Sequence, residues 1–365
     1  MPTYASGLSG QVGTVVESVY GTPVTVTRFW EFLSENFVFN PNYLDGQGLK
    51  AGQAYNRASR TVQSQFDVNG DITMEHTDGS AASAAADSMG WWWKQCLGSS
   101  VTTPAVVLGT AYKQVHTNGS KAGFFATMQV GRPQISGVTV QPFTFTGCKV
   151  TQWDFSCSDN QIAQLKATID GQTELTSTGL AAASYPTPNG LFSFADAKNF
   201  KIGGTATTSG GETTIASGVA VASRVTAITI TGATPMKVDR YGLGNAGLKG
   251  EPIENAIPTI TGTLTTEFFD RTEFYDKFKS NATTPLQLDF SHFDSAGNDA
   301  NGVASGPNPY LLSFIMPAVK FKTASQNVTS PDVIPQTVGF QAYDDGSGTN
   351  PVIQVKLVSK ESTAL

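Results

Sequence analysis

Gly242, Gly244 and Gly247 stand in the order G-x-G-x-x-G. In a dinucleotide site such glycines let a pyrophosphate approach the backbone where a helix begins. Here LKGEPIENAIP follows, and Pro252 and Pro258 leave no room for a useful helix. The run is read as a flexible loop. Asp67, Asn69 and Asp71 repeat the opening of a calcium loop, but Ile72 stands where a glycine is needed and no Glu occupies the twelfth position. A turn, bulge or strand fits those residues better. His76, His116 and His292 have no His or Cys at metal spacing, and no G-x-S-x-G or Cys/His context accompanies them. The carboxylate pairs Glu267/Asp270 and Asp344/Asp345 fall at a helix start and a turn, where negative charge is structurally favourable. No catalytic residue, cofactor or metal is expected, and so no enzyme.

Without chemistry, the question becomes what the chain builds. Its 365 residues suit two domains, each long enough to bury a core. Charged residues make up only 14%, against an ordinary ~25%, and 37 glycines accompany abundant Thr, Ser and Val. That is a turn-rich β composition with a surface open to partners. The net charge of −6 argues against a general nucleic-acid binder, whose affinity rests on Lys and Arg at phosphates. Cys96, Cys148 and Cys157 are odd in number and lack metal spacing, so they are read as reduced, partly buried thiols. The opening MPTYASGLSGQVG has neither a basic nor an apolar signal region, and no apolar run is long enough to span a bilayer. The three N-x-S/T triplets, at Asn118, Asn281 and Asn327, mean little without such a signal.

The elements repeat. FDVNGDITMEH, an Ala-rich helix ending in WWWKQCLG, and the hairpin GCKVTQWDFSCSDNQIAQLKATIDGQ form one set. PTITGTLTTEF, the short helix DRTEFYDKFKSN and MPAVKFKTASQNVTSPDVIPQTVGFQAYDD form the second. The spacing of Met89, Trp92, Trp93, Cys96 and Leu97 predicts a helix over 80–97 that packs its Trp face on a sheet. Trp153, Phe155, Cys157 and then Leu165, Ala167, Ile169 alternate around a turn at Ser158–Asn160. Asp270 and Glu273 approximate a capping box. These signals predict domains at 1–175 and 191–365, joined by a small, polar, Pro-containing linker at 176–190. Residues 30–60 mix apolar side chains with turn residues. They read as an arm that cannot bury its own apolar groups and seeks a partner subunit.

The segments SGLSGQVGTVVESVYGTPVTVTRFWEF, GDITMEHTDGSAASAAADSMGWWWKQCLGS, FTFTGCKVTQWDFSCSDNQIAQLKATIDGQ and TITGTLTTEFFDRTEFYDKFKSN, in this order, resemble the major tail tube proteins of long-tailed (siphovirus-type) bacteriophages. The resemblance implies an all-β fold with minor α content: tandem β-sandwich or partial-barrel domains, each with a flanking helix. It implies a structural virion protein whose rings stack into a tail tube, assembled in the host cytoplasm. DNA would pass through the lumen without specific binding, beside a tape measure protein. Terminator or baseplate proteins would meet the tube ends, and no membrane is involved. Inter-subunit contacts are expected at Trp30, Phe32, Phe37, Phe39, Arg57 and Arg60 of the arm. Three chains per ring are favoured over six, because both halves carry edges able to pair. The alternative is a β-sandwich adhesion, receptor-binding or carbohydrate-binding module. Placing Trp91, Trp92 and Trp93 in a helix counts against a sugar-stacking platform.

Overall fold

A computed structural model describes residues 6–80, 89–100, 105–108, 111–135, 139–185, 190–328 and 331–361. The first half contains β1 (Gln11–Val16), β2 (Arg28–Trp30), β3 (Val38–Asp45), β4 (Thr61–Glu75), α1 (Gly90–Leu97), β5 (Ala111–Asn118), β6 (Ala126–Pro133), β7 (Val140–Ser158), β8 (Gln164–Gly171) and β9 (Thr173–Leu175). The second contains β10 (Ala197–Ile202), β11 (Val225–Ala233), β12 (Thr259–Glu267), α2 (Tyr275–Lys279), β13 (Thr284–His292), β14 (Tyr310–Gln326), β15 (Pro335–Ala342) and β16 (Gln354–Ser359). Shorter strands and single-turn helices fill the connections. The fold is thus all-β with minor α content, as the alternating apolar residues require.

Two antiparallel layers enclose the core. One is a single open sheet in the order β3-β4-β8-β7-β11-β12-β15-β14, crossing from one half to the other at the β7–β11 pair. The other layer has two parts. In the first half it runs β2-β1-β6-β7-β9. In the second it runs β10-β13-β14-β16-β5, with β5 lent by the first half. Strands β7 and β14 each serve both layers. In β7 the change falls at Gly147, whose φ of 62° suits glycine, and at a bulge between Val150 and Gln152.

The two halves pair in the same pattern. β4 joins β8, β8 joins β7 and β7 joins β6; likewise β12 joins β15, β15 joins β14 and β14 joins β13. The helices follow β4 and β12 at corresponding points.

One apolar cluster runs through both halves. The Trp helix accounts for this. The Trp93 ring lies 5.2 Å from Trp153 of β7 and 5.4 Å from Phe314 of β14. Phe155 and Phe314 approach to 4.5 Å across the same boundary. Trp91 and Trp92 both pack on Trp30, whose Nε1 donates to Thr14 Oγ1 at 2.8 Å. A one-sided helix was expected, yet Trp91, Trp92 and Trp93 are all buried, because apolar groups of both halves surround α1. Residues 81–88 of the expected helix lie outside the described residues. Gly98, at φ 82°, ends the helix as a left-handed cap. The expected cap at Asp270 forms in part: its Oδ1 accepts the Thr272 and Glu273 amides. Glu273 instead accepts from the Ala222 and Ser223 amides.

Candidate assembly interface

The continuous sheet turns one face to the core and the other outward. Pleating puts Val68, Ile72 and Met74 of β4 inside and Asp67, Asn69, Asp71, Thr73 and Glu75 on the opposite face. The same alternation turns outward Lys166 and Thr168 of β8, Asp154 and Ser156 of β7, and Thr229 and Thr231 of β11. It does so for Thr261, Thr263 and Thr265 of β12 and Thr337 of β15. Hydroxyls dominate this face. Its sparse charges are Asp71, Glu75, Asp154 and Glu267, with Lys166 held 3.2 Å from Asp71 and Lys320 and Lys322 at the β14 end.

Both outer strands of this sheet leave an edge open among the described residues. The Asn36 amide donates to Asp71 O, so the backbone groups of Val38 and Asn40 also turn toward β4. Those of Phe37 and Phe39 turn to the free side. Phe37 does not leave its groups bare. Its amide donates to Glu35 Oε2 at 3.1 Å, and its carbonyl accepts from Arg132 Nη2 at 2.7 Å. Arg132 also bonds the Glu35 carboxylate at 2.8 Å. The ion pair thus occupies part of an edge that would otherwise template pairing.

The arm is a hairpin, β3 and β4, that overruns the end of β8. The sequence-based contact residues separate within it. Trp30 and Phe37 are buried in the chain's own core, against α1 and Phe145 respectively. Turn residues around them suggested exposure, but α1 and the second layer supply the cover that local sequence lacks. Phe32 and Phe39 are half-buried, and Phe39 stacks on Phe66. Arg57 is half-buried and Arg60 exposed. The outward apolar groups are instead Val38, Tyr43, Leu44, Leu49, Tyr55 and Val62. Leu49 and Tyr55, at 103% and 90% exposure, mark the tip.

A strap between β11 and β12 braces the arm. Gly247 O accepts the Phe66 amide, and Tyr241 Oη donates to Phe66 O at 2.9 Å. Lys249 is fully buried and bonds Asp67 as well as Asp170, the latter at 2.7 Å. Burial disfavours the lysine's charge, but the two carboxylates more than offset this and hold its pKa above the usual range. Burial pushes Asp170 up to about 6 despite Lys249. The G-x-G-x-x-G segment is therefore a docked brace, and Asp67, read against calcium, is a lysine partner. A second link between the halves joins His292 Nε2 to Asp78 Oδ2 at 2.8 Å, with Asp196 Oδ2 3.5 Å from Nδ1. Burial opposes the imidazolium there, and the two aspartates outweigh it, raising its pKa.

Among the described residues no group of three His, Cys, Asp or Glu is placed to hold a metal ion. Cys96, Cys148 and Cys157 are buried free thiols, with Cys96 pushed up to about 12 by burial. No helix of the described residues is long and apolar enough to cross a membrane.

A two-layered all-β chain with a polar outer face and open sheet edges is a class of protein made for sheet-to-sheet assembly. The family of phage tail tube proteins, described as "Phage tail tube protein", matches residues 7–342. The chain belongs to that family and is a structural component of the phage tail tube. No individual curated protein matches the sequence.

Proposed function

We propose that this chain closes rings through the open edges of its continuous sheet, and that the rings stack into the conduit for DNA ejection. The observation that carries this reading is the single sheet β3-β4-β8-β7-β11-β12-β15-β14, which spans both halves and, among the described residues, ends in edges left open at β3 and at residues 320–326 of β14. A heterologous edge contact that closes makes a ring. Its hydroxyl-rich, weakly acidic face would line the lumen, where duplex DNA finds few cations to hold it. The reading assigns the chain no catalytic step. The repeat units are taken as 1–175 and 191–365, joined by 176–190, of which 186–189 lie outside the described residues.

Eight strands at ~4.8 Å span an arc of about 38 Å per chain. Three chains with strands tilted ~40° give a barrel about 45–50 Å across between backbones, and six give about twice that. The smaller lumen suits a double helix with side chains around it, so three chains per ring are favoured. The arm, with Leu49 and Tyr55 at its tip, reaches the adjacent ring. Tape measure, terminator or baseplate proteins would complete the assembly in the host cytoplasm.

Negative-stain microscopy of the purified chain tests the reading. Stacked rings whose averaged cross-section shows three chains and six similar wall segments are expected. Six chains per ring, with the second halves outside the wall, would reject the stoichiometry. A chain lacking residues 46–57 should form rings that do not stack; tubes of normal length would reject the role of the arm.

A further inference from the structure

The internal repeat contains its own copy of the joint that a ring needs. Within the chain the halves meet where β7 pairs with β11: Trp153 opposite Gly232, Asp154 opposite Thr231 and Phe155 opposite Ile230. The counterpart of β7 in the second half is β14, and the counterpart of β11 in the first is β3. These are the outer strands of the continuous sheet, and among the described residues β3 and residues 320–326 of β14 leave their edges open. We infer that β14 of one copy pairs with β3 of the next in the register of the β7–β11 joint: Ala324 opposite Phe39, Ser325 opposite Val38 and Thr323 opposite Asn40. This rests on the ring reading above and adds the contacting residues.

The register follows from partners already observed. Gly70 and Gly262 occupy the same place in NGDITME and TGTLTTE. Gly70 faces Ile169 and Gly262 faces Phe340, which equates Ile169 with Phe340. Those residues face Val150 and Phe321, each followed by a bulge. One step beyond the bulge, Trp153 faces Ala167 and Ala324 faces Val338, so Trp153 corresponds to Ala324. On the other strand, Phe39 faces Val68 as Gly232 faces Ile260, so Phe39 corresponds to Gly232. The backbone polarity agrees. The Phe268 amide bonds Ile334 O, and alternation along β15 and β14 then turns Ala324 and Gln326 to the free edge. Phe39 also presents its groups to its own free edge.

The side chains fit this register. In the internal joint Trp153 lies over Gly232, where a Cβ would come within 2.2 Å of the indole. In the proposed joint large and small exchange strands, with Phe39 against Ala324. On the outer face, Asp154 and Thr231 touch at 2.6 Å in the internal joint, and the exposed Ser325 and Val38 take their places. Gln326 falls opposite Phe37, whose outward groups Glu35 and Arg132 hold in the single chain. Those side chains yield to Gln326 when the ladder extends past Phe39.

Paired cysteines test the register in the full chain. Ser325 and Val38 would form a non-hydrogen-bonded pair, with Cα atoms about 4.5 Å apart, within disulfide reach. Both side chains are exposed, and the three native cysteines are buried. Mild oxidation of the V38C/S325C protein should give a reducible ladder ending at three chains on denaturing gels. Mixed V38C and S325C chains should stop at two. Linkage should exceed that of V38C/T323C and V38C/N327C, two-residue slips, by about tenfold because Cα separation then leaves disulfide range. Preferential linkage in either slipped pair overturns the register and leaves the ring reading standing. Rings in the microscope without linkage in any pair overturn the β3–β14 joint. Absence of rings from the unsubstituted chain overturns the ring reading itself.

Discussion

Replacing Lys249 by Met tests whether the strap is an electrostatic brace. Lys249 is fully buried and serves two carboxylates, of which the Asp170 side chain is only 10% exposed. Removing one partner of a buried pair costs about 3–5 kcal/mol, because the remaining charge stays uncompensated. The cost must depend on pH. Asp170 sits at about 6 even with the ammonium beside it, and losing Lys249 moves it higher. The variant can then escape the penalty by protonating Asp170. Between about 6 and the variant's higher folded pKa the penalty grows by up to ~1.4 kcal/mol per pH unit; above that it levels off, and below about 6 it fades. Urea unfolding of K249M and the parent chain at pH 8 and pH 5.5 measures this. The expected difference is roughly 3 kcal/mol or more at pH 8 and clearly smaller at pH 5.5. Adding D170N to K249M should recover much of the pH 8 loss. A K249M penalty below about 1 kcal/mol at pH 8, unchanged at pH 5.5, would refute the argument.

Trp93→Ala should cost about 3–5 kcal/mol and loosen both halves together, seen as one weakened transition in calorimetry. Two separate transitions would contradict the shared core. The His292 link has a raised folded pKa, so its stabilisation is present below the unfolded value near 6.5 and is lost as pH rises through the folded value. H292N should lose roughly 1–2 kcal/mol at pH 5.5 and much less at pH 8.5, checked by melting temperature. An equal loss at both pH values would contradict this. Arg132→Gln removes part of the guard on Phe37, and light scattering should then show faster self-association; slower association would assign Arg132 to the joint itself.

The sequence carried the secondary structure well where periodicity was local. Trp153, Phe155 and Cys157 alternate as a half-buried strand must, and the repeat surfaced because FDVNGDITMEH and PTITGTLTTEF share a pleat and a central glycine. What escaped depended on partners distant in the chain. Trp30 and Phe37 sit among turn residues, and partners distant in the chain bury them: α1 covers Trp30, and Phe145 of β7 covers Phe37. Lys249 carried no signal, since a lysine in a glycine-rich loop reads as solvent-exposed until Asp67 and Asp170 are brought to it. The outward apolar set of the arm was missed for the converse reason: apolar residues among turn residues were taken to lack cover in general, whereas Leu49 and Tyr55 at the tip are the groups left without it.

Joining two repeat units in one polypeptide also changes the kinetics of building a wall. The β7–β11 seam forms at the effective concentration of a tethered pair, set by the linker and independent of how much protein is present. Only the remaining seams depend on dilution. In the proposed ring, tethered and free seams would alternate, leaving fewer collisional steps, and closure should vary less steeply with protein concentration than for a ring of single units. Tethering also frees the two units from being identical. One carries the arm and the Trp helix while the other carries the strap, so in the proposed ring each chain would bring to the wall a fixed alternation that unlinked copies could not maintain.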